Sequence, residues 1–275
     1  MPQELWSIFR QNRHLPHDLP RLGAAVLQQW GKLRGGVELA IMVIPHTFGA
    51  KLNFNPHLHM LVSAGGLKES DGRWVRGSVL EPTEDKNALM QMWRFAVVSC
   101  LRVAHQAGIV TSNLSRRQQH QSLQTQYDRW WNIHIDRFAS KEHFLRYAGR
   151  YVRRPPIAQH RLLRISKRAV EFWAKDKKQK RNVIISLTPE EFVASLADHV
   201  PDHYRHAVRY FGLLAPASRS RAWAGVFVLL GKPVNPRPRR LSWAFLRRRD
   251  FGVDPLLDRR GLPMKWIGRL QPQAT

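Results

Sequence analysis

Residues 37–66 read VELAIMVIPHTFGAKLNFNPHLHMLVSAGG, and this stretch decides the fold. Residues 37–46 form a short apolar run rich in β-branched side chains, which is typical of a buried strand. Gly49 and residues 53–56, which read NFNP, predict a turn. Residues 57–64 have the composition of a second strand. The stretch therefore predicts an antiparallel hairpin.

The segments around this hairpin carry both helix and strand patterns. Helical patterns occupy residues 1–35, residues 84–107, the stretch from the N-cap Ser140 to about residue 153, and the stretch that begins at Thr188-Pro189. Strand patterns occupy residues 129–135, 161–173 and 182–187. Because a hairpin comes first and helices separate the later strands, we predict an α+β fold with an antiparallel sheet and flanking helices.

Three regions follow from this pattern. We predict an N-terminal helical segment at residues 1–35 and a catalytic domain at residues 36–225. A basic tail rich in proline and arginine is predicted at residues 226–275.

The charge of the chain indicates a nucleic acid partner. Forty-five Lys and Arg against 20 Asp and Glu give a formal net charge of +25. Cationic side chains on phosphates release condensed counterions, so a surplus of this size favours an anionic polymer. We therefore expect a nucleic acid as the partner, and neither a membrane nor a small-molecule substrate.

Two absences bear on the compartment. No apolar run approaches the length of a membrane span, and residues 1–5 lack the basic start of a signal peptide. The one cysteine, Cys100, lies in an apolar helical stretch, which excludes a cysteine-built zinc site and a disulfide within the chain. We expect a cytoplasmic protein.

The pair His57 and His59 is the first candidate for chemistry. Side chains two apart on a strand point to the same face, so two imidazoles can converge on one metal ion. The alternative is two ordinary polar residues at the start of a strand. A third ligand is expected from His46, which ends the preceding strand, or from its rival His134 on the predicted strand 129–135.

Tyr147 and Tyr151 are the second candidate. They lie four apart on the helix after Ser140 and so share a face. A tyrosine can serve as a nucleophile where the site stabilises its phenolate. The alternative is an aromatic pair that packs on the sheet.

Arginines surround the tyrosine pair. Their guanidinium groups suit phosphate oxygens, and we expect them to lower the pKa of a neighbouring tyrosine. A solvated basic helix face is the alternative. The arginines in question are Arg146, Arg150, Arg153 and Arg154.

The sequence lacks the motifs of other common nucleotide-binding and hydrolytic sites. It has no P-loop, no Gly-x-Ser-x-Gly and no His-Glu-x-x-His motif.

Taken together, these residues resemble a known family, the rolling-circle insertion-sequence transposases. That family belongs to the His-hydrophobic-His endonucleases, with relaxases and rolling-circle replication initiators. The resemblance extends over nearly the whole chain and rests on the order and spacing of its motifs. The matching stretches are 46–49 (HTFG), 53–59 (NFNPHLH), 65–67 (GGL), 147–156 (YAGRYVRRPP) and 188–221.

The resemblance implies a mechanism and a set of roles. Tyr147 and Tyr151 would be the catalytic residues, and a 5′-phosphotyrosine and a free 3′-OH would form on single-stranded transposon ends. His57, His59 and His46 would hold a divalent ion, Mg²⁺ or Mn²⁺, and close relatives can carry Gln at the His46 position. We expect Tyr151 to act first.

The sequence departs from the family pattern in two places. Full-length members carry a cysteine-rich zinc-binding region before the catalytic domain, and this chain starts after it. Residues 258–261 read DRRG where many members have a Cys-Pro-x-Cys-Gly knuckle. Two alternatives therefore stay open, a relaxase or replication initiator, and a truncated DNA-binding remnant without catalysis.

Overall fold

The structure, a computed structural model, describes residues 1–77, 79–152, 154–176, 179–202, 205–229, 231, 233 and 241–265. The chain forms two compact units, Met1–Lys232 and Pro233–Thr275. Within the described ranges, every helix is too short or too polar to cross a membrane.

The first unit alternates helices with antiparallel strands. Its helices are α1 (Trp6–Gln11), α2 (Leu19–Gly35), α3 (Lys86–Gln106), α4 (Arg116–Gln124), α5 (Lys141–Val152), α6 (Pro189–Ala197) and α7 (Arg219–Leu229). Its strands are β1 (Val37–Phe48), β2 (Phe54–Lys68), β3 (Trp74–Val75), β4 (Leu162–Ile165), β5 (Val170–Asp176), β6 (Arg181–Leu187) and β7 (Arg209–Gly212). The predicted α+β class is confirmed.

A four-stranded sheet carries the opening hairpin. Its order is β3-β2-β1-β7, and all its neighbouring strands are antiparallel. Val37, Leu39 and Ile41 of β1 are fully buried and pack with Ala24 of α2. Helix α2 approaches closely because it carries Gly31, where an added Cβ would lie 2.9 Å from a side-chain carbon of Leu39. Helix α2 thus packs against one face of the sheet.

The other face of this sheet carries the histidines. Leu58 and Met60 of β2 pack against the cluster on the α2 side. Side chains alternate along a strand, so His57 and His59 lie on the face away from α2. The β1–β2 register sets His46 directly opposite His57.

Helices α1 and α3 build a second core, and residues 129–135 pack against it without forming a strand. The predicted strand at 129–135 is therefore wrong. Its alternation is real, since Trp131 is fully buried whereas Trp130 is 58% exposed. Ile133 and Ile135 pack on a neighbouring cluster with Trp30. The segment has an inner and an outer side, but it pairs with none of the strands in the described part of the chain.

The second sheet of the first unit has the order β4-β5-β6. The predicted strand at 161–173 is corrected to two strands, because the chain turns between Ser166 and Ala169, where the Ser166 hydroxyl accepts the Ala169 N–H at 3.0 Å. The predicted helix start at Thr188 is confirmed. The Thr188 hydroxyl accepts the N–H of Glu191, whose carboxylate accepts the N–H of Thr188.

The second unit contains one helix within its described residues, α8 (Trp243–Phe251), capped by the Ser242 hydroxyl. A turn follows in which the Asp258 carboxylate accepts the backbone N–H groups of Arg260 and Leu262 at 2.8 and 2.9 Å. The departure noted at residues 258–261 therefore lies in a turn that an aspartate holds closed. The boundaries 1–35, 36–225 and 226–275 stay predictions.

Candidate active site

Three histidines meet on the open face of the β1–β2 hairpin. Ring nitrogens of His46, His57 and His59 all lie within 4.8 Å of one another. Their ring centroids are 4.9 to 5.6 Å apart. The strand register produces this arrangement, because His46 pairs with His57 and His59 lies two residues further along the same strand.

Two of these rings are oriented by backbone carbonyls. His46 Nε2 lies 3.0 Å from the Tyr151 carbonyl oxygen, and His57 Nδ1 lies 2.7 Å from the Asn55 carbonyl oxygen. A carbonyl only accepts, so each of these nitrogens carries the hydrogen, and the second nitrogen of the neutral ring keeps a lone pair. This tautomer control is the usual one for histidines that bind metals.

The cluster also contains polar atoms that lack partners. His46 Nδ1 and His59 Nε2 are buried, and neither has a hydrogen-bond partner. Buried polar atoms are rarely left unsatisfied in proteins. Both nitrogens could coordinate a divalent ion, so the residues present suit the expected metal.

The environment keeps the His46 and His59 rings neutral. Burial, followed by the charge of His57, lowers the pKa of His46 from its ordinary value to about 4. Burial, followed by the charges of His57 and His46, lowers the pKa of His59 to about 3. A neutral imidazole is the form that coordinates a metal.

The rival third ligand lies elsewhere. His134 is exposed and does not belong to the group of ring nitrogens around His57. The geometry thus brings His46, rather than His134, to the pair.

Helix α5 carries both tyrosines to the histidines. The Ser140 hydroxyl accepts the His143 N–H at 3.1 Å, as expected for the helix start. The Tyr147 and Tyr151 rings lie 4.4 Å apart, and the Tyr151 ring lies 3.8 Å from the His59 ring. The Tyr147 hydroxyl is 3.1 Å from His59 Nδ1.

The expected lowering of the tyrosine pKa is wrong for Tyr147. Burial raises the pKa of Tyr147, and the charges of Tyr151 and Asp136 raise it further. Arg146 and Arg150 are exposed, so solvent screens them from the phenol. The cost of desolvating a phenolate prevails over the arginines.

The arginines differ in their relation to the tyrosines. The Arg154 guanidinium carbon lies 5.7 Å from the Tyr151 ring centroid, a cation–π contact. Arg146 and Arg150 lie on exposed positions of α5. Arg153 lies outside the described residues.

Sequence reasoning missed Phe138. Its ring lies 5.3 Å from the Tyr147 ring. The available signal was a large aromatic residue in the polar stretch DRFASKE at 136–142. Asn55 was also missed as the residue whose carbonyl orients His57.

The lowered histidine pKa values predict an acid-sensitive fold. The unfolded chain takes up protons below about pH 6.5, whereas folded His46 and His59 resist protonation down to about 4 and 3. Stability is therefore present above pH 6.5 and is lost as pH falls toward those values. We expect acidification in EDTA to lower the Tm of the parent chain more than that of the His46→Gln/His59→Gln variant. Equal losses would contradict this account.

Comparison with known proteins identifies relatives. Residues 40–222 match a family described as "Putative transposase". The chain is 29% identical over 269 residues to the "Transposase for insertion sequence element IS801" of Pseudomonas savastanoi pv. phaseolicola, which covers 93% of this chain and 62% of that protein. It is 28% identical over 253 residues to "Putative transposase y4qJ" of Sinorhizobium fredii (strain NBRC 101917 / NGR234). That match covers 86% of this chain and 62% of the relative.

The chain thus spans less than two thirds of the length of these relatives. No solved structure matches it. The family match begins within β1 and includes all of β2, the histidine cluster and the tyrosine helix. Because it extends over more than half of the chain, the chain belongs to this transposase family.

Proposed function

We propose that the chain is a DNA transposase that cuts and rejoins single DNA strands through a 5′-phosphotyrosine intermediate, with a divalent metal, in rolling-circle transposition. The observation that carries the proposal is the contact between the tyrosine pair and the histidine cluster. The Tyr151 ring centroid lies 3.8 Å from that of His59, and the Tyr147 hydroxyl lies 3.1 Å from Nδ1 of the same histidine. Nucleophile and metal ligands would then act on one phosphate.

His46, His57 and His59 would hold the ion through ring nitrogens that lie within 4.8 Å of one another. When bound, the ion supplies Lewis acidity to the scissile phosphate. Imidazole suits Mn²⁺ better than Mg²⁺, which prefers oxygen, and oxygens of the substrate phosphate would complete either coordination shell.

The cleavage step uses a tyrosine hydroxyl as nucleophile. Its oxygen forms a bond to phosphorus and the bond from phosphorus to the 3′ oxygen breaks. The tyrosine proton passes to water, and the 3′ oxygen takes up a proton to leave as a 3′-OH. The reverse attack by a 3′-OH of another strand would rejoin the DNA and release the tyrosine.

His59 has a defined part in this step. If Nε2 holds the ion, Nδ1 would carry the hydrogen and would donate it to the Tyr147 oxygen, 3.1 Å away. His59 would then not be the general base. Its N–H holds the phenol oxygen in place and stabilises the negative charge that develops there.

The partner we propose is single-stranded DNA at transposon ends, in a bacterial cytoplasm and at its nucleoid. The net charge of +25 supports a polyanionic partner. Arg146 and Arg150 are exposed on the tyrosine helix, and Arg154 lies beside Tyr151. Guanidinium groups at these positions would bind phosphates on either side of the cut. Arg153 is proposed for the same role from sequence alone.

The test uses a pool of 5′-labelled and 3′-labelled single-stranded oligonucleotides that cover both flanks of the gene encoding this chain. We expect Mn²⁺ or Mg²⁺ to produce a protein-linked band on a denaturing gel. The 3′-labelled pool should show the link, and the released 5′-labelled fragment should end in a 3′-OH that a polymerase extends. EDTA should abolish the band.

Two outcomes would refute the proposal. Cleavage without a protein-linked end would indicate a nuclease that uses water rather than tyrosine. Retained DNA binding with no cleavage under either metal would favour the non-catalytic remnant.

A further inference from the structure

Two partly exposed phenylalanine rings lie next to Tyr147. We call the group of Phe138, Phe144 and Tyr147 the aromatic ledge. Phe138 lies at its centre, with ring centroids 5.3 Å from Tyr147 and 5.5 Å from Phe144. Both contacts are close to edge-on, at 65° and 88°. Such T-shaped contacts hold a ring at a fixed angle.

The ledge is not part of the protein core. Phe138 and Phe144 remain 37% and 36% exposed despite these ring contacts. In contrast, Trp131, a few residues earlier on the same segment, is fully buried in the cluster formed with α3. Among the described residues, the four core clusters include neither phenylalanine. Core packing therefore does not explain why large aromatic side chains occupy these positions.

The surroundings of the ledge favour a base over an apolar protein partner. Arg146 and Arg150 are exposed on the same helix as Phe144 and Tyr147. Aromatic rings and cationic side chains together bind single-stranded nucleic acid, since rings stack on bases while cations contact phosphates. A phosphate at the Tyr147 hydroxyl carries a nucleoside on each side, and Phe138 contacts that same tyrosine.

We propose that Phe138 is a base-stacking residue, on which an unpaired base next to the cleaved phosphate rests. The proposal rests on the proposed function for its substrate, single-stranded DNA. It adds a binding subsite on the nucleobase, in addition to the metal ligands, the tyrosines and the phosphate-binding arginines. Stacking tolerates every base, so Phe138 would set the position of the strand rather than its sequence.

The test measures binding separately from cleavage. Fluorescence anisotropy in EDTA gives the Kd of a single-stranded oligonucleotide for the parent chain, Phe138→Ala and Phe138→Trp. We expect Phe138→Ala to weaken binding by about 5- to 150-fold, the loss of one stacked base, and Phe138→Trp to retain it. Leu145→Ala is the matched control. Leu145 lies on the same helix and is 54% exposed, and its variant should bind like the parent chain.

A second arm identifies the stacked base. Oligonucleotides with one abasic site are scanned across the cleavage position with both proteins. One abasic position should weaken binding by the parent chain yet have no further effect on Phe138→Ala, because the two changes remove the same contact. Additive losses at every position, or an unchanged Kd for Phe138→Ala, would overturn the stacking role.

The two proposals fail in distinguishable ways. If the parent chain forms no covalent link to DNA but Phe138→Ala weakens binding, the stacking role of Phe138 is supported and the phosphotyrosine mechanism fails. If the parent chain forms the link and Phe138→Ala binds normally, only the stacking role fails. In both cases, circular dichroism of Phe138→Ala should match the parent chain, since this ring lies outside the core.

Discussion

Replacing both Tyr147 and Tyr151 with phenylalanine is expected to abolish the protein-linked DNA product, by at least about 10³-fold. Phenylalanine keeps the ring contacts, which are 4.4 Å between the two side chains and 3.8 Å between residue 151 and His59. It removes the hydroxyl oxygens that would attack phosphorus and, with them, the contact between the Tyr147 hydroxyl and His59. The ring contacts and the contact of the Tyr151 carbonyl with His46 should still hold the helix in place while the reaction stops.

The single substitutions test the order of the tyrosines. If Tyr151 acts first, Tyr151→Phe alone removes the covalent link, whereas Tyr147→Phe forms it but cannot complete the transfer to a second strand. The denaturing gel reads the link, and ligation of a second labelled strand reads the transfer. Tyr210→Phe is the control, because Tyr210 is 47% exposed on β7. A covalent product from the double variant would refute the nucleophile assignment.

Replacing His57 with alanine is expected to weaken Mn²⁺ binding by at least about 100-fold and to abolish metal-dependent cleavage. Removal of an outer partner of a metal ligand alone costs about 10- to 100-fold in affinity, and His57 would be a ligand itself. Calorimetric titration with Mn²⁺ measures the affinity, and the denaturing gel measures the product.

The chain offers a matched control for this experiment. His134→Ala removes the exposed histidine that the sequence left as the rival ligand, and it should leave both readouts unchanged. His46→Gln should bind Mn²⁺ more tightly than His46→Ala, because the amide oxygen can replace the ring nitrogen. Loss of binding in His134→Ala with retention in His46→Ala would reverse the assignment of the third ligand.

The sequence predicted the parts of the site that depend on local pattern. The apolar run at 37–46 and the alternation around His57 are properties of single strands, so the hairpin and the shared face of the histidines followed from them. The spacing of Tyr147 and Tyr151 is likewise a property of one helix. Their convergence with His46 was only an expectation, because it depends on the β1–β2 register and on where α5 docks.

The errors arose where a tertiary neighbour decides the outcome. Alternation at 129–135 correctly separated buried Trp131 from exposed Trp130, but a strand also needs a partner, and the partner is not encoded locally. The pKa of Tyr147 depends on burial beside His59 and on Asp136, which neighbouring arginines in the sequence do not reveal. Phe138 became visible only once its ring was seen beside Tyr147.

The docking of α5 has a consequence for how the site responds to its ligands. None of the described residues of this helix is buried, and its contacts with the sheet include the carbonyl of Tyr151 on His46 and the hydroxyl of Tyr147 on His59. The same two rings would bind the ion through their other nitrogens, His46 Nδ1 and His59 Nε2. Ion affinity and helix position are then thermodynamically linked, and such linkage is reciprocal. A bound ion would favour the docked position of the helix, and DNA that holds the helix docked through a tyrosine would raise the affinity for the ion by the same factor.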